Sequence, residues 1–461
     1  MFSSEVYSDR RQKLRSLVKS GLAFFPGNVE SPVNYPANPY HFRQDSSFLY
    51  FFGLDLPGLA GVIDFDSGDE WIFGDDFDLN DIVWMGPQPT VRELAMKCGI
   101  VKTAPLKKLE EIIADAVSKK RKIHFLPPYR GETKMMLGSL LKEDPCKMKT
   151  LASEELIRAV VSLRIIKEAI EIEEIEKAVN ISWEMHVTAM KMCRAGVKEQ
   201  EIFGVIEGIA WSKGAGPAFP VILSINGQTL HNHAHNNILT EGRMMVTDAG
   251  AESLLHYASD ITRTTPVGGK FNSRQRDIYE VVLRANNLAI GEAKPGKSFR
   301  QIHIDACKAI AQGMKELGLM KGDTEEAVMQ GAHALFMPHG LGHMLGLDVH
   351  DMEGLGENYV GYNDRTKRSD QFGLSFLRFA LECKPGHVIT IEPGCYFIPQ
   401  LIDQWKSEGK FKEYICYDRL ESYRDFGGIR IEDNIAITET GCRLLGRPIP
   451  KTVEEIESVC S

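Results

Sequence analysis

The chain has 461 residues, 43% hydrophobic and 25% charged, an ordinary globular balance in a length that exceeds one hydrophobic core, so two domains are expected. A formal net charge of -9 and a pI near 5.9 argue against nucleic acid as a partner, because such proteins present basic surfaces. No stretch approaches the ~18 apolar residues of a membrane span, the opening MFSSEVYSDRRQKLRSLVKS lacks the apolar core of a secretory signal, and the nine cysteines are scattered singly with no CxxC pair. These features lead to an expectation of a cytoplasmic protein with reduced thiols and no membrane association.

Residues 1–152 read as a separate α/β unit. An amphipathic opening helix spans about Arg10 to Lys19, and the Pro/Asn-rich SPVNYPANPYHF forms a loop. The apolar-aromatic run SSFLYFFGLDLPGLAGVIDF is strand-like, as are EWIFG near Trp71 and KIHFL near Lys122, with LKKLEEIIADAV helical between the last two. No ligand cluster or Gly-rich phosphate loop lies in this part. From Ser153 to about Met192 apolar residues recur at three and four among Glu and Lys, which predicts one long amphipathic helix and a domain boundary just before it.

In residues 153–461, VILSING, MMVTDAG and HVITIEPGCYF are strand candidates. The segments SRQRDIYEVVLRANNLAIGEA and FRQIHIDACKAIAQGMKELG are helix candidates. Five metal-ligand candidates stand in or beside these strands: Asp248, Asp260, His343, Glu392 and Glu432. Four carboxylates with one imidazole form a hard, oxygen-rich set that suits two adjacent divalent ions. Such a pair can generate hydroxide at neutral pH, the nucleophile of a hydrolase. His339 and His343 stand four apart, but Gly340 takes the place of the glutamate that an HExxH zinc site requires. Glu392 is fixed at a strand end by Pro393 and Gly394. Alternation sends Arg430 and Glu432 to one strand face, where they are expected to pair. The string LHNHAHNN carries His231, His233 and His235; for the last two, exposed loop positions are the default over a metal site of their own.

The strings TDAGAESLLHYASDITRTTP, MPHGLGHMLGLDVHD, ITIEPGCYF and FGGIRIEDNIAIT, in this order, resemble the pita-bread metallopeptidases, the family of methionine aminopeptidase, aminopeptidase P and prolidase. The resemblance runs from about Leu163 to KTVEEIESVC. One extra residue between Asp248 and Asp260 is attributed to a longer hairpin turn. The resemblance implies an α+β protein, with an N-terminal α/β domain of the creatinase/aminopeptidase P type followed by a pita-bread catalytic domain. It also implies that Asp260 and Glu432 bridge two divalent ions, Asp248 completing one coordination sphere and His343 with Glu392 the other. The ions are expected to be Mn2+, with Co2+, Zn2+ and Fe2+ compatible.

By the same resemblance Glu392 serves as general base and proton shuttle, while His231, His339 and His350 line the substrate pocket. His350 and His231 would donate hydrogen bonds to the developing oxyanion. The N-terminal domain favours the proline-specific branches over methionine aminopeptidase, so the expected substrates are small peptides with proline at the second position. Arg430 is assigned to substrate binding. Arg378 matches the prolidase arginine that holds a dipeptide carboxylate. With the long segment between Glu392 and Glu432, it favours an Xaa-Pro dipeptidase over an Xaa-Pro aminopeptidase. A metal-free binding module would lack ligands that this chain retains. A homodimer is expected from the same resemblance.

Overall fold

The computed structural model describes all residues from Met1 to Ser461 and separates into two compact units, Met1–Arg164 with Glu353–Tyr359, and Ile165–Met352 with Val360–Ser461. The division falls after Arg164, beyond the position expected from sequence. The helix Glu154–Arg164 is tied into the first unit, where the Tyr50 hydroxyl donates to the Leu163 carbonyl at 3.2 Å and Arg164 Nη1 to Ser47 Oγ at 3.0 Å. No helix is long and apolar enough to cross a membrane.

The first unit is built on a mixed five-stranded sheet. Its strands are β1 (Leu22–Pro26), β2 (Ala60–Asp64), β3 (Glu70–Phe73), β4 (Lys102–Ala104) and β5 (Ile123–His124), in the order β4-β3-β2-β1-β5. The two central pairings, β1 with β2 and β2 with β3, are antiparallel, and the outer two are parallel. Leu22, Phe24, Val62 and Phe73 pack beneath Leu109 and Ile113 of the helix Leu106–Ser118. One strand expectation fails: Ser46–Phe52 is a helix. Asp45 caps it by accepting from the Phe48 N–H, and Gly53 closes it at φ 65°. All seven of its residues are buried, so the run has no polar face from which a period could be read.

The long helix expected across Ser153–Met192 is two helices, Glu154–Arg164 and Ala169–Met192. Between them the Lys167 N–H donates to the Gly386 carbonyl at 2.8 Å, and its ammonium forms a fully buried ion pair with Asp351 at 2.8 Å. A new start follows, with the Glu168 N–H donating to the Glu171 carboxylate at 3.0 Å.

The second unit repeats one plan twice along the chain, a pair of helices followed by antiparallel strands. Helices Ala169–Met192 and Glu199–Lys213 precede β6 (Ile222–Ser224), β7 (Met244–Asp248) and β8 (Thr262–Pro266), which form one sheet. Helices Ser273–Glu292 and Phe299–Glu316 precede β9 (Val388–Ile391), β10 (Gly394–Tyr396), β11 (Gly428–Arg430), β12 (Asp433–Ile437) and β13 (Cys442–Leu444). Of these, β13-β12-β9 form a second sheet and β10-β11 a separate two-stranded antiparallel sheet. The halves are joined where Thr264 Oγ1 of β8 donates to the Arg430 carbonyl at 3.1 Å and the Glu432 N–H donates to the Thr262 carbonyl at 3.0 Å; within the second half, Asn286 Nδ2 bridges the carbonyls of Ile391 and Ile431. All nine cysteines are free thiols.

Candidate metal centre and active site

Each acidic donor sits where a strand begins or ends, so backbone pairing fixes its position. Asp248 is the last residue of β7 and pairs with Thr262 across the sheet, while Asp260 lies two residues before β8. The loop between the aspartates folds back tightly at Gly250, where a Cβ would stand 1.8 Å from the Ser259 carbonyl oxygen. Glu392 follows β9, and Glu432 occupies the junction of β11 and β12. His343 arrives on an irregular segment laid against β9, with the Thr390 N–H donating to the His343 carbonyl and the His343 N–H to Thr390 Oγ1, both at 3.0 Å. Gly342 permits this approach, because a Cβ there would lie 1.9 Å from the Thr390 carbonyl oxygen.

One cavity of ≈ 490 Å³ is lined by all five donors and by the other five sequence-derived site residues, His231, His339, His350, Arg378 and Arg430. Donor atoms of Asp260, His343 and Glu432 lie within 4.8 Å of one another. The Nδ1–H of His343 donates to the Met344 carbonyl at 3.0 Å, which fixes the tautomer and turns the Nε2 lone pair to Asp260 Oδ2 at 3.3 Å and Glu392 Oε1 at 3.6 Å. Two ionised carboxylates facing that lone pair repel it unless a proton or a cation lies between them.

The electrostatics point the same way. Burial, then the Asp248 charge, holds Asp260 well above the usual carboxylate range. Burial, then Asp260, does the same to Glu432. Glu392 is pushed up to about 7 by burial, against the lowering effect of His343 and Arg430. Asp248 Oδ1 and Glu432 Oε1 are buried with no hydrogen-bond partner. Carboxylates crowded in a low dielectric with orphaned oxygens are suited to divalent cations, which supply the charge and the missing bonds. The donor set therefore fits the implied metal ions.

The expected pairing of Arg430 with Glu432 is not formed. Arg430 Nη2 pairs with Asp248 at 2.5 Å, Nη1 donates to the Tyr396 hydroxyl at 2.9 Å and Nε to Thr262 Oγ1 at 3.1 Å. Glu432 lies beyond the end of β11, where alternation along that strand no longer fixes its direction, and it accepts from Thr262 Oγ1 at 2.7 Å. Arg430 thus lines the cavity with its fork committed to protein groups.

His339 Nδ1 donates to the Gly340 carbonyl at 2.8 Å, so Nε2 accepts from the Tyr396 hydroxyl at 3.0 Å. Burial, then Arg430, pushes the His339 pKa down to about 3, so the ring is neutral. The ring of His350 packs on that of His343 at 4.3 Å. His231 stands exposed at the cavity wall, its pKa lowered by desolvation and by Arg430. Arg378 is half-buried, outside any regular helix, and its charge reaches both His231 and His339. His235 is turned away to the Leu223 carbonyl at 3.1 Å and stacks on Phe203, so it forms no separate site with His233.

Several residues that support or line the site were not singled out from the sequence. Tyr396 links Arg430 to His339, and Asn434 clamps Asp260 through both backbone groups. Phe219, Phe372 and Phe376 form apolar wall. Tyr396 and Asn434 sit inside the quoted strings around Glu392 and Glu432, which was the available signal; the phenylalanines carry none.

A cavity ringed by four carboxylates and an imidazole, with neutral histidines beside them, defines a metal-dependent hydrolase. The model for Metallopeptidase family M24 matches residues 173–439, and that for the aminopeptidase P N-terminal domain matches residues 7–124. The chain belongs to metallopeptidase family M24, and is a pita-bread metallopeptidase with a preceding aminopeptidase P-type domain. It is 33% identical to the Xaa-Pro dipeptidase of Homo sapiens over 98% of this chain and 90% of that protein. It is 29% identical to a probable Xaa-Pro aminopeptidase of Paracoccidioides brasiliensis over 96% and 92%. Among solved structures, proline aminopeptidase P II from Yersinia pestis superimposes with a TM-score of 0.82 at 28% identity, covering 100% of this chain and 99% of that one. Zinc-substituted E. coli aminopeptidase P in complex with product gives 0.80 at 27% identity, over 100% and 98%.

Proposed function

We propose that this protein is an Xaa-Pro peptidase, and specifically a dipeptidase that hydrolyses Xaa-Pro dipeptides. The observation that carries the dipeptidase reading is Arg378, whose guanidinium lines the same cavity as the carboxylate donors. A planar fork there suits the free carboxylate of a C-terminal proline. The cavity, at ≈ 490 Å³, lies toward the small end of ligand pockets, as a dipeptide requires.

Asp248, Asp260, His343, Glu392 and Glu432 would hold two divalent ions, for which manganese is our reading, supplying a Lewis acid for the scissile carbonyl and acidifying water. Glu392, with its pKa near neutrality in the bare site, accepts a proton from the attacking water and returns it to the departing proline nitrogen. That nitrogen carries no hydrogen in the substrate, so the ring must be recognised by shape, a task for the walls of Phe219, Phe372 and Phe376. His350 and His231 donate to the oxyanion. His339, with both ring nitrogens engaged, positions the wall beside Glu392, its Nδ1 lying 3.9 Å from Oε2.

Nine free thiols support a cytoplasmic location. Leu79, Val83, Trp84 and Met85, all largely exposed on one short N-terminal-unit helix, support self-association as a homodimer.

The aminopeptidase reading is favoured by the superposition of aminopeptidase P structures on the whole chain and by the likeness to a probable Xaa-Pro aminopeptidase. Product analysis with Ala-Pro and Ala-Pro-Ala separates the two. Cleavage confined to Ala-Pro supports the dipeptidase; efficient release of alanine from the tripeptide replaces it with the aminopeptidase.

A further inference from the structure

The helix Phe299–Glu316 presents His303 and Cys307, one turn apart, to the core face, and His333 meets them from the short turn Ala332–Leu335. All three are buried, at 1%, 0% and 3% exposure. Their donor atoms lie within 4.8 Å of one another, a separate group from the catalytic donors.

The imidazoles are poorly satisfied for a core position. His303 Nδ1 and both ring nitrogens of His333 are buried with no hydrogen-bond partner; the Val328 carbonyl faces the His333 ring without normal hydrogen-bond geometry. An unsatisfied buried polar atom costs roughly 1–3 kcal/mol, and an ion bound through one nitrogen of His333 would relieve one of these. Burial pushes His303 down to about 3 and His333 to about 4, leaving neutral rings with available lone pairs.

The spacing suits a metal. Bonds of about 2.3 Å to sulfur and about 2.0 Å to nitrogen at a tetrahedral angle separate the two donors by about 3.5 Å. His303 Nε2 and Cys307 Sγ stand 3.6 Å apart. No carboxylate acts on any of the three groups: the charges felt by His303 are those of His333, His339 and Arg300, and burial alone acts on Cys307. One thiolate with two neutral imidazoles is a soft set that hard ions such as manganese bind weakly.

We propose that His303, Cys307 and His333 form a second metal site, distinct from the catalytic centre, for a closed-shell thiophilic cation, zinc or cuprous copper. Binding exchanges the Cys307 S–H bond for a sulfur–metal bond and releases one proton to solvent. The turn that carries His333 runs directly into Pro338 and His339 of the catalytic cavity, so the ion would brace that segment.

The test is metal stoichiometry after chelation and reloading, comparing the whole protein with Cys307→Ser, using zinc, cuprous copper supplied without oxygen, and cobalt as a spectroscopic stand-in for zinc. The proposal expects one more bound equivalent of zinc or copper in the unmodified protein, the ion that gives the excess being the one selected. If that ion is zinc, a thiolate-to-cobalt charge-transfer band is also expected and is lost in Cys307→Ser. His333→Gln removes a different ligand and should lower the count equally, so the test does not depend on one variant folding. Equal stoichiometry for both ions in unmodified and variant proteins would overturn the proposal and leave Cys307 a thiol donating to His303.

Discussion

Ion binding at the catalytic centre should be strongly coupled to pH, and Glu392 gives the scale of the effect. Its carboxyl is raised from an ordinary 4.5 to about 7 in the bare site, so over that interval it is protonated in the free protein and must lose the proton to become a ligand. Protonation over that interval makes apparent affinity roughly 100-fold weaker near the lower limit than near the upper, or ~3 kcal/mol from this one group. The figure is an upper one for Glu392, whose side chain keeps 19% exposure at the cavity, but Asp260 and Glu432 are shifted in the same direction and add to it. The assay is calorimetric titration of chelator-treated protein with manganese across this pH range, in two buffers of different ionisation enthalpy to count released protons. Affinity should climb with pH, with at least one proton released at about pH 6. A flat affinity and no proton release would refute the reading of these carboxylates as buried metal ligands.

Replacing Glu392 by Gln should lower kcat by roughly 100- to 10,000-fold while bound ion is still detected, the usual range for losing a general acid–base group. Arg378→Ala should raise KM for Ala-Pro by roughly 10- to 100-fold with kcat little changed, corresponding to lost charge-assisted hydrogen bonds; the amidated dipeptide, which has no carboxylate, should be unaffected. Global stability should fall on acidification from about 6.5 to about 3, because His303, His339 and His387 are held near 3 by burial while the unfolded chain protonates them at their ordinary 6.5. A depressed pKa contributes stability above the unfolded value and loses it as pH falls, so urea midpoints that stay constant over this window would contradict the burial of these rings.

The site was more legible in the sequence than the path of the chain around it. Asp248, Asp260, His343, Glu392 and Glu432 stood out because they lie in four distinctive strings, the carboxylates near strand ends, and all five line one cavity. The failures have local causes. Ser46–Phe52 is buried on every side, so its composition resembles a strand, and the deciding signals were the flanking Asp45 and Gly53. The break at Lys167 depends on Asp351, far away in sequence, and no helical periodicity could announce it. Arg430 was given the wrong partner because strand alternation was carried past the end of β11, whereas the ion pair that forms is with Asp248 of the other sheet.

The most direct measurement of the central claim is proline release from Ala-Pro by chelator-treated protein as manganese is added back, run in parallel with Asp260→Asn. The account predicts no hydrolysis without the ion, recovery as the ion is restored, and no recovery in the variant. Hydrolysis that persists after chelation, or that Asp260→Asn recovers fully, would contradict it.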